Sequence, residues 1–301
     1  MIKKIPLPIT GVALGFAALG NLLQSYSETV RLICGDISAV LLLLYLIKMI
    51  RYPDTFREDM KNPIMASVFC TSTMALMLLA GYLKPYIGMA ADAVWYLAIV
   101  LHIILIIFFT VRFILKLQIQ KVFASYYIVY VGIVVASVSA PAFQATELGT
   151  ILFWFGLSAL LALLVLVSFR YLKFRESPAP AQPLFCIYTA PASLCLAGYI
   201  QSVSNKSVNM IVFLAILAFI LYLMVLFNLP KYLKMPFYPS YAAFTFPFVI
   251  SAIAMKQTMA CLSNLGIPVP WLSIVILIET IISVVLTIYT LIRFILFICA
   301  K

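Results

Sequence analysis

The stretch Pro239-Ser240-Tyr241-Ala242-Ala243-Phe244-Thr245-Phe246-Pro247-Phe248-Val249-Ile250-Ser251-Ala252 decides how this chain is read. It belongs to an apolar run of bilayer length, since a helix rises about 1.5 Å per residue and about 20 residues cross the hydrocarbon core. Yet it sets a bulky aromatic beside a helix-breaking proline, amid small residues and hydroxyls. An interrupted helix at membrane depth needs partners for its freed backbone groups, and finds them where it is buried in protein or lines a cavity. The segment therefore reads as part of the wall of a narrow pore, with Phe246 standing in it.

The rest of the chain agrees in kind. Its 301 residues are 65% hydrophobic and only 10% charged, too little polar material to cover a soluble surface. An all-α polytopic membrane protein is expected, one integral domain over residues 1–301. Met1-Ile2-Lys3-Lys4 opens like a signal peptide, but Pro6, Pro8 and the glycines that follow interrupt the apolar run, which is taken as the first span. The net charge of +11 reflects basic residues retained in cytoplasmic loops, so no nucleic-acid partner is expected. The six cysteines lie mostly inside apolar runs without metal-ligand spacing and read as small buried hydrophobes; no metal or cofactor is implied.

Ten spans are expected, near 7–25, 31–50, 63–83, 92–115, 124–144, 148–170, 184–203, 207–229, 238–260 and 270–298. Of the 20 Lys and Arg residues, only Arg31, Lys84, Lys206 and Lys256 fall on the side away from the termini. The positive-inside rule then makes the termini cytoplasmic, in a cell (plasma) membrane. Trp95, Trp154 and Trp271 each open an even-numbered span, at what would be the outer interface, where indole rings prefer to sit.

Composition alternates with the period of one helical hairpin. Even spans are Leu/Ile/Val/Phe-rich, as in Ala39–Tyr45 and Leu160–Leu166, and suit lipid. Odd spans carry small residues, hydroxyls and prolines: Gly11 and Gly15 in the first, Ser67, Thr71, Ser72 and Thr73 in the third, Ser137, Ser139 and Pro141 in the fifth, Pro191 in the seventh, and Pro247 and Ile250 in the ninth. Five hairpins of this kind imply an inner ring of odd helices around a pore, enclosed by an outer ring of even ones. Small residues also let membrane helices pack closely without a pore; the recurrence of proline with hydroxyls favours the pore.

Ionisable residues inside spans are costly and need a reason. His102 and Glu279 are the deepest, and read either as a proton-coupling site or as interhelical hydrogen-bond partners. Asp36 and Asp92 open the second and fourth spans, where the helix dipole favours acids. Lys256 lies ten residues beyond Phe246, about 15 Å along a straight helix, and would attract anions at the outer mouth. On ideal geometry Phe246, Ile250, Ile253 and Gln257 share a face and Lys256 points aside, so snorkelling to the interface is the alternative. No phosphate loop, metal cluster or nucleophile–base pair argues for an enzyme. Acidic rings of the kind that select cations are thin, which favours an anion.

Four places carry a resemblance to a known family: Pro6-Leu7-Pro8 with Gly11 and Gly15, Asn62-Pro63, Ala190-Pro191-Ala192 with Ala197-Gly198-Tyr199, and Phe244-Thr245-Phe246-Pro247. The chain resembles the tellurite-resistance/dicarboxylate transporter family, which includes bacterial TehA proteins and the plant slow anion channels. The resemblance implies a homotrimer of ten-helix protomers with quasi-fivefold hairpins, each with its own pore, and matches Phe246 to the family's occluding phenylalanine. The late proline of the fifth span, Pro141, and the acid Glu279 depart from the pattern.

A passive channel for small inorganic or organic anions is the leading expectation, with Phe246 as gate. A proton-coupled transporter of a dicarboxylate, sulfite or a tellurite-like anion is the second, and a non-conducting membrane scaffold the third. The short loops and termini hold no sensor domain, so regulation through long tails is not expected.

Overall fold

A computed structural model of the chain describes residues 2–300. Ten membrane elements follow one another: α1 (Ile9–Leu23), α2 (Glu28–Arg51), α3 (Pro63–Ile87), α4 (Met89–Ile114), α5 in two pieces (Tyr126–Tyr130 and Val134–Phe143), α6 (Thr146–Lys173), α7 (Ala179–Ser202), α8 (Val208–Leu233), α9 (Pro239–Asn264) and α10 (Leu272–Cys299). A short helix, Pro53–Asp59, lies between α2 and α3. The protein is a polytopic helical membrane protein, with eight helices long and apolar enough to cross a bilayer. The remaining two elements are shorter. Among the described residues there is no strand.

The odd elements close a ring. α1 packs on α3, α3 on both pieces of α5, the second piece of α5 on α7, α7 on α9, and α9 back on α1. Each even helix lies in the groove between its two odd neighbours, and α10 completes the outer layer by touching α9 and α1. Lys4 Nζ donates to the Ala300 carbonyl at 2.6 Å, tying the two ends of the chain together on one face, called the terminal face below.

Burial follows the compositional alternation. The most apolar windows of α3, α7 and α9 are 67%, 89% and 72% buried, whereas those of the even helices range from 22% to 39%. The buried helices are the less hydropathic ones, 1.3–1.8 in mean hydropathy against 2.1–3.1. In a bilayer the outer helices must be dissolved by lipid, while inner helices need close approach and internal hydrogen bonds. That inversion of the soluble-protein pattern produces the ring.

Three of the inner elements are not continuous α-helices. α7 and α9 begin as 3-10 turns, Ala179–Thr189 and Pro239–Phe244, and become α-helical where Pro191 and Pro247 stand in the first turn, the place where a missing N–H is harmless. α5 breaks at Val131–Ile133. A methyl group on Gly132 would lie 2.0 Å from the Ile128 carbonyl oxygen, so this turn requires glycine. The fifth span, expected near 124–144, is thereby two short helical pieces.

Two expectations at helix starts also change. α2 begins eight residues before Asp36, with Ser27 capping Val30 N at 3.3 Å and Glu28 in the first turn; Asp36 is exposed in mid-helix. Asp92 does lie in the first turn of α4, where it also pairs with Lys84. Trp154 and Trp271 are exposed, but Trp95 is fully buried, stacked on Phe143 at 4.7 Å and donating to Ser139 Oγ at 2.9 Å. It serves packing between α4 and α5 rather than the interface.

Candidate functional site

The five inner elements surround two cavities on the axis of the ring. One, of about 340 Å³, opens toward the terminal face and is lined by Pro8 and Gly11 of α1, Val68, Thr71 and Met74 of α3, Tyr127, Val131 and Gly132 of α5, Ala190 and Pro191 of α7, and Ala242, Ala243 and Pro247 of α9, among others. The other, of about 350 Å³, lies toward the opposite face against Ala18, Asn21 and Gln24, Arg31, Leu78, Val135, Val138, Ser139 and Pro141, Gln201, and Ile250, Ile253 and Gln257.

Two side chains line both cavities, Phe246 and Leu194. Phe246 is 6% exposed and Leu194 2%. They come from adjacent inner helices, α9 and α7, close to the point where each changes from 3-10 to α geometry. The phenyl ring thus has open space on two sides instead of a packed surround.

The turn that presents Phe246 is built by α1. Thr245 has φ −98° and ψ −98°, outside both regular helix and strand, and its hydroxyl lies 2.8 Å from the Ala242 carbonyl and 3.1 Å from that of Gly11. Its single proton serves one of them at a time. A methyl on Gly15 would come 2.5 Å from Thr245 Cβ and 3.1 Å from Phe246 N, and one on Gly11 would come 3.2 Å from Ala242 Cβ. These glycines let α1 approach the broken part of α9 closely enough to hold it.

Of the residues anticipated on the wall, Gly11, Thr71, Pro191 and Pro247 lie on the terminal-side cavity, Pro141 and Ile250 on the other, and Phe246 on both. Gly15 and Ser137 lie on neither. Gly15 lies behind the Thr245 turn, and the carbonyl of Ser137 accepts from Ser202 Oγ at 2.6 Å, joining α5 to α7. Thr71 Oγ1 sits 2.7 Å from Thr10 Oγ1 and 2.7 Å from the Val68 carbonyl, so its hydroxyl is committed to helix contacts.

Lys256 lines neither cavity. Its Nζ donates to the Leu22 carbonyl at 3.1 Å and to Ser25 Oγ at 2.5 Å, and sits 5.2 Å from the centre of the Tyr26 ring, clamping the end of α1 to α9. The cation on the cavity wall is Arg31.

His102 and Glu279 are both buried but not paired. His102 Nε2 lies 3.0 Å from the Val129 carbonyl and Nδ1 2.7 Å from Thr73 Oγ1. A carbonyl only accepts, so Nε2 carries a proton, and a neutral ring then accepts the threonine proton at Nδ1. The ring bridges α3, α4 and α5 just where α5 is about to break. Glu279 is 1% exposed, and neither carboxyl oxygen has a hydrogen-bond partner. It faces Ser251 of α9 and Tyr222 of α8, whose hydroxyls are likewise unpartnered.

Neither cavity is lined by an acidic side chain. The sequence of the SLAC1 family, described as voltage-dependent anion channel, matches residues 5–295, nearly the whole chain. The chain belongs to this family. Its members are channels and transporters rather than enzymes, and their substrates are anions. No curated protein matches the chain.

Of the residues on these two walls, Leu194, Gly132 and Arg31 were not singled out by the sequence. A leucine in an apolar helix carries no signal. Gly132 is a lone glycine among bulky residues, Tyr130, Val131, Ile133 and Val134, and without a proline beside it the sequence does not mark a break there. Arg31 was visible only as one of four basic residues on the minority side.

Proposed function

We propose that the protein is a passive anion channel in which the two cavities are the halves of one pore within each chain, closed by Phe246 with Leu194 beside it. The observation that carries this reading is that Phe246 lines both cavities, with no acidic side chain on either wall. A bulky apolar ring across a narrow neck gates by excluding water as much as by blocking the ion. The terminal-side wall, with few polar groups and no charge, binds anions weakly, which suits throughput.

The termini are taken as cytoplasmic and the membrane as the cell membrane, since the basic residues concentrate on the terminal face. The terminal-side cavity is then the inner vestibule and the other the outer one. The exposed apolar flanks of the even helices suit lipid and a homotrimeric assembly of independent pores. Small inorganic or organic anions are the substrates. Replacing Phe246 with Ala should raise anion current in planar bilayers; unchanged conductance in a correctly assembled F246A protein would overturn the gate.

Glu279 supports a second reading, a proton-coupled transporter of a dicarboxylate, sulfite or tellurite-like anion. A buried carboxyl with no cationic partner is costly when charged, and it faces Ser251, which follows Phe246 by five residues on α9. That reading requires flux in E279Q to lose its pH dependence. Flux and pH profile identical to wild type would sink it.

A further inference from the structure

Among the described residues, Arg31 is the one charged side chain lining either cavity. It reaches the outer vestibule from the first two turns of α2 and is held on three sides. Its Nε donates to Asn21 Oδ1 at 3.3 Å, its Nη1 to Glu28 at 2.5 Å, and its guanidinium plane lies 4.4 Å from the centre of the Tyr82 ring. Tyr82 is itself fixed, donating to the Ala17 carbonyl at 2.7 Å. The guanidinium is therefore oriented, and its Nη2 donates to no described residue.

The neighbouring wall is polar but uncharged. Asn21, Gln24, Gln201, Gln257 and Ser139 all line this cavity. Asn21 spends its amide oxygen on Arg31, leaving its NH2 free. The amide oxygen of Gln257 is the buried atom of that group and its NH2, which has no protein partner among the described residues, is the accessible one and free to donate into the cavity. An oriented guanidinium edge with amide donors around it suits an acceptor that has several oxygens.

We propose that this corner is a binding site for a small oxyanion, held by the Nη2 edge of Arg31 and the amides of Asn21, Gln201 and Gln257. Its role as a waiting site outside Phe246 rests on the channel reading; the binding itself does not. Glu28 is the competing ligand. Its carboxylate is 52% exposed while the arginine is 12% exposed, so the carboxylate can swing into solvent and an incoming anion can take its place beside the guanidinium.

The test is titration calorimetry of nitrate and, in parallel, formate into purified full-length protein, at fixed ionic strength set by a bulky sulfonate. Binding of one anion per chain is expected, from nitrate if the site takes inorganic oxyanions and from formate if it takes carboxylates. R31Q should weaken it about tenfold or more, because charge-assisted hydrogen bonds are lost. R31K, which keeps the charge and loses the fork, should fall between. E28Q should tighten binding severalfold, and that exposed change does not threaten folding. No binding of either anion, equal affinity in R31Q, or an E28Q protein no tighter than wild type would each overturn the site. If F246A passes no anion while binding still needs Arg31, the channel reading falls and the site stands. If F246A conducts and neither anion binds, the site falls and the channel stands.

Discussion

The two cavities are nearly equal in volume, about 340 and 350 Å³, yet their walls differ in chemistry. The terminal-side wall is mostly prolines, alanines, glycines, aliphatics and aromatics, with Asn62, Thr71, Tyr127 and Ser240 its few polar side chains and the Thr71 hydroxyl already spent inside the helix bundle. The opposite wall has four amide side chains, a serine and an arginine. The terminal-side wall offers an ion few polar groups and no charge; the opposite wall offers a cation and several amides. On the proposed reading, selection and closure fall on different sides of a single ring, Phe246, and a substitution can disturb either alone.

The largest expected effect is loss of the division itself. F246A joins the cavities, and anion conductance should rise strongly above wild type in single-channel recordings. L194A removes a smaller side chain from the same neck and should give a smaller rise. If L194A conducts as well as F246A, the closure belongs to the neck as a whole and not to the aromatic ring. If neither conducts, the cavities are not halves of one path.

A next step down is the support of the ring. G15A places a methyl 2.5 Å from Thr245 Cβ and close to the Phe246 amide. Overpacking of this kind costs about 1–3 kcal/mol. The strain falls on the turn that presents the phenyl ring, so G15A should lower thermal stability in detergent and alter basal conductance together. Lower stability with wild-type currents would mean that the turn can move without moving the ring.

The histidine gives a smaller effect, confined to stability. H102A strips the donor from the Val129 carbonyl in a dry interface, while the Thr73 hydroxyl keeps the Cys70 carbonyl, 2.8 Å away, as its acceptor. Leaving a buried group unsatisfied costs about 1–3 kcal/mol. Flux through assembled H102A protein should keep its pH profile, because the ring touches neither cavity. A changed profile would return His102 to the transport machinery.

How much of this was legible in the sequence follows from what each signal depends on. The ring was readable because proline, glycine and hydroxyls in alternate spans report backbone breaks and close approach, which are local properties. Phe246 was readable because Pro247 marks the break beside it. Leu194 occupies the corresponding neck position on α7, three residues after Pro191, but nothing distinguishes it from other apolar residues of these helices. Trp95 and Gly15 were assigned to surfaces that they do not reach, since which way a side chain faces depends on the partner helix. The same limit applies to the choice of cation: Lys256 and Arg31 look alike as charges on one side of a bilayer.

That choice provides the smallest and sharpest comparison. Lys256 is a compact ammonium on a long stem, already bound to the Leu22 carbonyl and Ser25 and set aside from the cavity wall. Arg31 is a planar fork fixed by Asn21 and Tyr82 with one edge free toward the cavity. If the outer vestibule works through a diffuse positive field, the two are interchangeable, and either loss should weaken anion capture alike. If it works through an oriented donor, K256M should change the outside anion concentration giving half-maximal current by no more than about threefold, the scale of a screened surface charge. R31Q should shift it by about tenfold or more, as expected for lost charge-assisted hydrogen bonds. Measured in the F246A background, where current is large enough to saturate, equal shifts in the two variants would replace the site with a field.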